Sequence, residues 1–253
     1  MRLLGLDFAE HDAQAVLAML GARPADAGFA YVVTPNADHL VRLARDPARY
    51  RPLYEDAALR LLDSRVVARV GALIGLPVPP VVTGSDLTLR VLDELARPGD
   101  RIAVLGASPA TVAAVRKRFS LCRLLHHDPP MGFDGDPAEM AAAVRFVAEA
   151  RARFALLCVG SPRQEAVARA VQARGDAVGI ALCVGASLLF ISGEERRAPP
   201  RLQRAGLEWA WRLAQDPSRL ARRYLLDSPA VLRLLWQERT SLKRRAARKR
   251  RRA

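Results

Sequence analysis

The stretch RIAVLGASPATVAAVRKRF, residues 101–119, reads as a β-strand that turns at Ala107-Ser108-Pro109 into a helix ending near Phe119. Its run Ile102–Leu105 is apolar at every position rather than alternating, which is the pattern of a strand covered on both faces. The unit recurs in both directions along the chain. Toward the N-terminus, Tyr31-Val-Val-Thr34 is a buried strand, and a helix from Asp38 to Tyr54 is opened by the capping region Asn36/Asp38. Leu59-Arg-Leu-Leu-Asp63 is a short strand, and Asp86 to Ala96 form a helix with Ser85 as N-cap. Toward the C-terminus, a strand over residues 121–127 is followed by a Pro/Gly loop and a helix from Ala138 to Arg153. Phe154–Gly160 then leads into Ser161-Pro-Arg-Gln-Glu165 and another helix, and Val178–Gly185 ends in a glycine turn.

Strands separated by helices of this length give βαβ units. The expected fold is α/β, a mainly parallel sheet with flanking helices, Rossmann-like. Ligands of such sheets bind at the carboxyl ends of the strands. That singles out four segments: Thr34-Pro-Asn36, Leu105-Gly-Ala-Ser108, Val159–Glu165 and Val184-Gly-Ala-Ser187. From Pro199 the texture changes to Arg-rich amphipathic helix, interrupted at Asp216-Pro217 and Ser228-Pro229. The chain is therefore expected to divide into an α/β domain at 1–198 and a helical, Arg-rich appendage with a basic tail at 199–253.

Of 253 residues, 51% are hydrophobic, enough for a sizeable core and unlike a disordered chain. The net charge is +14, and nine positive residues lie between Arg239 and Arg252, so the body is only mildly basic. Such a block seeks polyanions, either nucleic acid or anionic lipid headgroups. Lysine occurs only at 117, 243 and 249 while arginine abounds, which fits a GC-rich genome. Cys122, Cys158 and Cys183 sit in apolar runs without metal-ligand spacing and read as reduced, buried thiols. The N-terminus lacks the apolar run of a signal peptide, and no segment reaches the length of a bilayer span. Any membrane contact is expected to be peripheral.

Several local patterns admit two readings. Gly106 sits at a strand-to-helix turn whose helix N-terminus suits a phosphate, but G-A-S-P-A-T is not a G-x-G-x-x-G dinucleotide fingerprint, so no NAD is expected. Gln164 and Glu165 place an amide and a carboxylate in a first helical turn, suited to a base edge or ribose hydroxyls. The same residues also spell a capping box, Ser161-x-x-Gln164. Asp134-Gly-Asp136 matches the D-x-D of metal-dependent glycosyltransferases but lies in a loop where aspartate forms turns. The four histidines have no metal spacing, so neither a metal site nor a cofactor is expected. Asp63 ends an apolar strand, as a general base facing a cleft or as a solvated loop aspartate.

Taken together, these segments resemble the WecG/TagA/CpsF family of bacterial glycosyltransferases (glycosyltransferase family 26), from about Thr34 to Tyr224. The resemblance rests on Thr34-Pro-Asn-Ala-Asp38, Asp63, Val82-Thr-Gly-Ser-Asp86, Val104-Leu-Gly106, Val159–Glu165 and Cys183-Val-Gly-Ala186. It continues through Ser192-Gly193, Arg197-Ala-Pro199, Gly206-Leu-Glu-Trp209, Trp211-Arg-Leu213, Asp216–Arg219 and Arg222-Arg-Tyr224. It implies a UDP-sugar donor, an undecaprenyl-diphosphate-linked acceptor, inversion without a metal, and an appendage used at the membrane. Asp63 would be the base. Thr34 and Asn36 would line the acceptor and sugar side. Gln164 and Glu165, with the Gly106 and Gly185 turns, would hold the nucleotide, and Arg212, Arg219, Arg222 and Arg223 would neutralise diphosphate. The family's Asp-Gly is Asp63-Ser64 here, and serine lacks glycine's easy access to positive φ.

The expectation is therefore a glycosyltransferase of surface polysaccharide synthesis, cytoplasmic and peripheral on the inner face of the membrane, whose partners are a UDP-sugar, a lipid-linked saccharide and an anionic membrane surface. The alternative is a nucleic-acid-binding protein led by the tail. The tail lacks the interleaved aromatics that stack on bases, so a nucleic-acid partner is not expected.

Overall fold

A computed structural model describes residues 1–120, 123–199, 201–202, 207–215, 217 and 229–250, except the side chains of Arg212 and of residues 245–250. A small antiparallel hairpin, β1 (Arg2–Leu3) and β2 (Leu6–Asp7), precedes helix α1 (Ala13–Ala22), whose N-cap is Asp12. The main sheet is built from β3 (Ala30–Val33), β4 (Leu59–Arg60), β5 (Arg101–Leu105), β6 (Arg123–His127), β7 (Phe154–Leu157) and β8 (Ile180–Cys183). Its order is β4-β3-β8-β7-β5-β6 and every pairing is parallel. This is the expected α/β fold.

All residues of β3, β7 and β8 are buried, as a sheet covered on both faces requires. Alternate residues serve opposite faces. Tyr31, Val33, Ala155, Leu157, Ala181 and Cys183 belong to one core, while Val32, Phe154, Leu156, Ile180 and Leu182 belong to the other. The helices between the strands are α2 (Ala37–Arg45), α3 (Pro47–Glu55), α4 (Arg65–Leu73), α5 (Gly84–Arg90), α6 (Pro109–Arg118), α7 (Pro137–Glu149) and α8 (Arg163–Arg174), and α9 (Ser187–Ser192) follows the last strand. After the sheet come α10 (Glu208–Gln215) and α11 (Ala230–Arg250). Helix α11 packs on α2 and α4, with Val231 and Leu235 buried in the first core.

Three local expectations are corrected. The helix expected from Asp38 to Tyr54 is two helices, because Pro47 cannot donate to the preceding turn and disfavours helical geometry at Asp46. Asp46 serves both ends: its N–H donates to the Arg42 carbonyl and its carboxylate accepts from the Arg49 N–H at 3.1 Å. The N-cap of α5 is Thr83, which accepts from Asp86 N–H at 3.2 Å, rather than Ser85, and α5 runs on into a π turn at Val91–Leu95. The strand at Leu59 stops after two residues, and Leu62 then forms a single parallel bridge to Val81.

Candidate active site

The chain leaves β3 and β4 toward one edge of the sheet and β5 and β6 toward the other, and β7 and β8 fill the middle. Loops diverging from the carboxyl ends of the middle strands therefore leave a crevice. A cavity of about 760 Å³ lies there, lined by Thr34, Asn36, Asp63, Arg65, Thr83, Ser85, Cys158–Ser161, Gln164 and Val184–Phe190. Helices α10 and α11 close it with Glu208, Trp209, Val231 and Leu232. Of the four strand ends singled out in the sequence, three line it; the fourth contributes only Ala107.

Asp63 is held from two sides. Its N–H donates to the Pro35 carbonyl at 3.0 Å, and its Oδ2 accepts from Gly84 N–H at 3.0 Å. Gly84 is needed there: a Cβ would lie 3.0 Å from Thr34 Oγ1 and 3.5 Å from Asp63 Oδ2. Thr34 donates its hydroxyl to the Cys183 carbonyl at 3.1 Å, tying the ends of β3 and β8 together beside Asp63. Asn36 caps α2 through Oδ1, which accepts from Asp38 and His39 N–H. Ser64 adopts φ −155° and caps α4 by accepting from Val67 N–H at 3.2 Å. The position therefore needs no positive φ here, and Ser64 gives α4 a cap.

The Gly160–Glu165 segment does not form the capping box. The N-cap of α8 is Pro162, with no side-chain cap bond, and Ser161 Oγ accepts instead from Arg42 at 3.1 Å. Gln164 Oε1 accepts from Gly185 N–H at 2.9 Å, and its Nε2 donates to Glu165 Oε1 at 2.9 Å. Both residues are buried, at 2% and 1% exposure, so Gln164 reaches the cavity with its polar atoms engaged and Glu165 lies behind the wall. Burial pushes the Glu165 carboxyl up, against the hydrogen bond from Gln164 and the charge of Arg42. Its Oε2 has no hydrogen-bond partner. The Gly185 N–H is spent on Gln164, while Gly106 sits outside the cavity. At Gly106, φ is +81° and a Cβ would lie 2.7 Å from Val159 Cγ1, so this glycine serves the close crossing of two loops.

Cys158 also faces the cavity, but burial pushes its thiol up to about 12, which leaves it a poor nucleophile. Arg197 donates to Asp86 Oδ1 at 2.5 Å and to Ser85 Oγ at 2.6 Å, fixing a further stretch of wall. Burial pushes the Asp86 carboxyl up, but hydrogen bonds from Arg197 and Thr83 outweigh it and hold the group below its ordinary range. Asp136 caps α7 and Asp134 lies in a 3-10 turn, neither of them on the cavity. Among the described residues no group of three or more His, Cys, Asp or Glu is placed to hold a metal. Arg219, Arg222 and Arg223, and the side chain of Arg212, lie outside the described residues. Arg65, Ser85, Phe190 and Trp209 are cavity residues that the sequence reading did not single out as site residues; only Ser85 and Trp209 fall within the family-like segments quoted above.

A base-like carboxylate at the carboxyl end of a parallel sheet is a geometry that many families share. Comparison decides among them: the chain matches the Glycosyl transferase WecG/TagA/CpsF family over residues 1–245. The chain belongs to this family. This WecG/TagA/CpsF-family glycosyltransferase is 29% identical over 221 residues to a protein of Bacillus spizizenii, an N-acetylglucosaminyldiphosphoundecaprenol N-acetyl-beta-D-mannosaminyltransferase. The match covers 85% of this chain and 82% of the relative. The family match extends through α10 and most of α11, so the helices that close the cavity belong to the family's shared span.

Proposed function

We propose that this enzyme transfers a sugar from a UDP-sugar to an undecaprenyl-diphosphate-linked saccharide, with inversion and without a metal ion, in surface or exported polysaccharide synthesis. The observation that carries the reading is the seat of Asp63, a carboxylate fixed by the Gly84 N–H on the wall of a cavity large enough for a nucleotide sugar. In the reaction, the acceptor hydroxyl attacks the anomeric carbon from the face opposite the nucleotide. The new C–O bond forms as the bond to the diphosphate oxygen breaks, and the hydroxyl proton passes to Asp63. UDP leaves with the bonding electron pair, its charge met by guanidinium groups; Arg212, Arg219, Arg222 and Arg223 are assigned to that task.

Thr34 and Asn36 form the acceptor and sugar side, next to Asp63. Gln164, on the cavity wall, holds the Gly185 turn against which the nucleotide lies, and Glu165 supports Gln164 from behind the wall. The relative's name specifies an acceptor on undecaprenol, and a lipid-borne acceptor is reached at a membrane surface. No helix among the described residues is long and apolar enough to cross a membrane. Helix α11, however, leaves Leu232 and Trp236, one turn apart, 45% and 56% exposed, with Arg239 stacked over the Trp236 ring. Residues 199–253 thus serve a catalytic domain at 1–198 as a peripheral anchor on the inner face, apolar side chains down and the basic run at anionic headgroups.

The test is a donor screen with a short-chain lipid-diphosphate N-acetylglucosamine acceptor, following nucleotide release. Acceptor-dependent release of UDP from one UDP-sugar is expected. No release from any nucleotide sugar by folded enzyme with vesicles present would contradict the assignment.

A further inference from the structure

Arg65 is not among the arginines assigned above to the diphosphate. It is the first residue of α4, two residues after Asp63, and its side chain lines the cavity. Its Nε is buried and has no hydrogen-bond partner, and among the described residues no carboxylate lies within ion-pair distance of it. The nearby acid, Asp86, is already engaged: Oδ1 takes Arg197 and Oδ2 takes the Thr83 hydroxyl at 2.7 Å. A guanidinium with a desolvated, unmatched N–H and no carboxylate partner is costly to hold at a cavity wall, and an anion bound there offsets the cost. The Nε itself is shut off from solvent and cavity alike, so contact with a ligand falls to the terminal nitrogens of this cavity-lining side chain. The charged, planar guanidinium head suits the oxygens of a phosphate or carboxylate.

We infer that Arg65 binds an oxyanion of the substrate on the same wall as Asp63, through its guanidinium head. The inference rests on the glycosyltransfer reading above. The oxyanion is either a phosphoryl group of the donor or acceptor, or a carboxylate carried by the transferred sugar.

Arg65→Gln keeps length and a polar head but loses the charge and the planar guanidinium; Arg65→Lys restores charge alone. Titration calorimetry of wild type and both variants against uridine, UDP, a UDP-hexuronate and a short-chain lipid diphosphate separates the sources. Arg65→Gln is expected to weaken an anionic ligand roughly 10–100-fold, the range for a hydrogen bond to a charged group, while uridine is unaffected. Loss on UDP assigns the donor phosphate, loss on the lipid diphosphate alone assigns the acceptor, and loss on the hexuronate beyond that on UDP assigns a sugar carboxylate. Arg65→Lys should recover part of the loss. If wild type binds these ligands and folded Arg65→Gln binds every one within twofold, the inference is overturned and the functional reading stands. If wild type binds none, both fall.

Discussion

Replacing Gln164 by alanine removes the one side chain that joins α8 to the turn after β8. Two partners lose a bond at once: the half-buried Gly185 N–H, which reaches Gln164 Oε1 at 2.9 Å and keeps only a 3.3 Å bond to the Leu157 carbonyl, and the buried Glu165 Oε1, which receives Gln164 Nε2 at 2.9 Å. Leaving a buried polar group unsatisfied costs about 1–3 kcal/mol, so the pair sums to about 2–6 kcal/mol. Releasing the ordered glutamine returns roughly 1.5–2 kcal/mol of rotamer entropy, which leaves a net loss of about 0–4.5 kcal/mol, centred near 2. For a chain of this size a loss of about 2 kcal/mol is a fall in Tm of roughly 4–8 °C. Urea unfolding at 25 °C gives the free energy, and scanning calorimetry the midpoint. Gln164→Glu sharpens the test, because it keeps the shape but sets a second carboxyl against Glu165 in a dry site. It should be less stable than the alanine variant at neutral pH and approach it as the pH falls and one of the two takes up a proton. No measurable loss for alanine with unchanged m, or a glutamate variant as stable as wild type at neutral pH, would refute the linkage.

Glu165→Gln tests the buried carboxyl itself. Its folded pKa lies above the ordinary 4.5, so the folded protein keeps a proton that the unfolded chain releases, and stability falls as pH rises from about 4.5 toward the folded value. The glutamine variant should lack that component, which stability curves from pH 4 to 8 would reveal; parallel curves would count against it. Activity should survive EDTA, since Asp134 and Asp136 are placed in a turn and a helix cap away from the cavity; loss on chelation restored by Mn²⁺ or Mg²⁺ would overturn that expectation. Truncation after Glu238 should abolish sedimentation with anionic vesicles, most clearly at low salt, yet leave turnover of a soluble acceptor analogue. Vesicle binding equal to that of the full chain would show that the tail is not the anchor.

The fold was legible because its signals are long-range averages. Uninterrupted apolar runs such as Phe154–Leu157, spaced by helices, can hardly be anything but a parallel sheet. Single-residue chemistry was less legible, because the partner is set by tertiary structure. Ser161-x-x-Gln164 fits a capping box in sequence, but Gly185, 21 residues away from Gln164, takes the glutamine instead. Ser85 and Thr83 are both competent caps, but the helix begins at Gly84, so Thr83 takes the role with extended backbone and Ser85 falls inside the first turn. The unbroken helix expected over residues 38–54 fails at Pro47, a break visible in the sequence itself. Arg65 carries no motif; its interest arises from a buried Nε that only the packed wall reveals. The closure of the cavity by Trp209 and Leu232 depends on how α10 and α11 dock, which helical periodicity leaves open.

Whether Asp63 takes the acceptor proton is decided by single-turnover sugar transfer in Asp63→Asn, with donor affinity and Tm measured on the same sample. Wild-type folding and donor binding are expected, with transfer slowed roughly 10²–10⁴-fold, the usual size of general-base catalysis. Transfer within a few-fold of wild type by the folded variant would contradict that role.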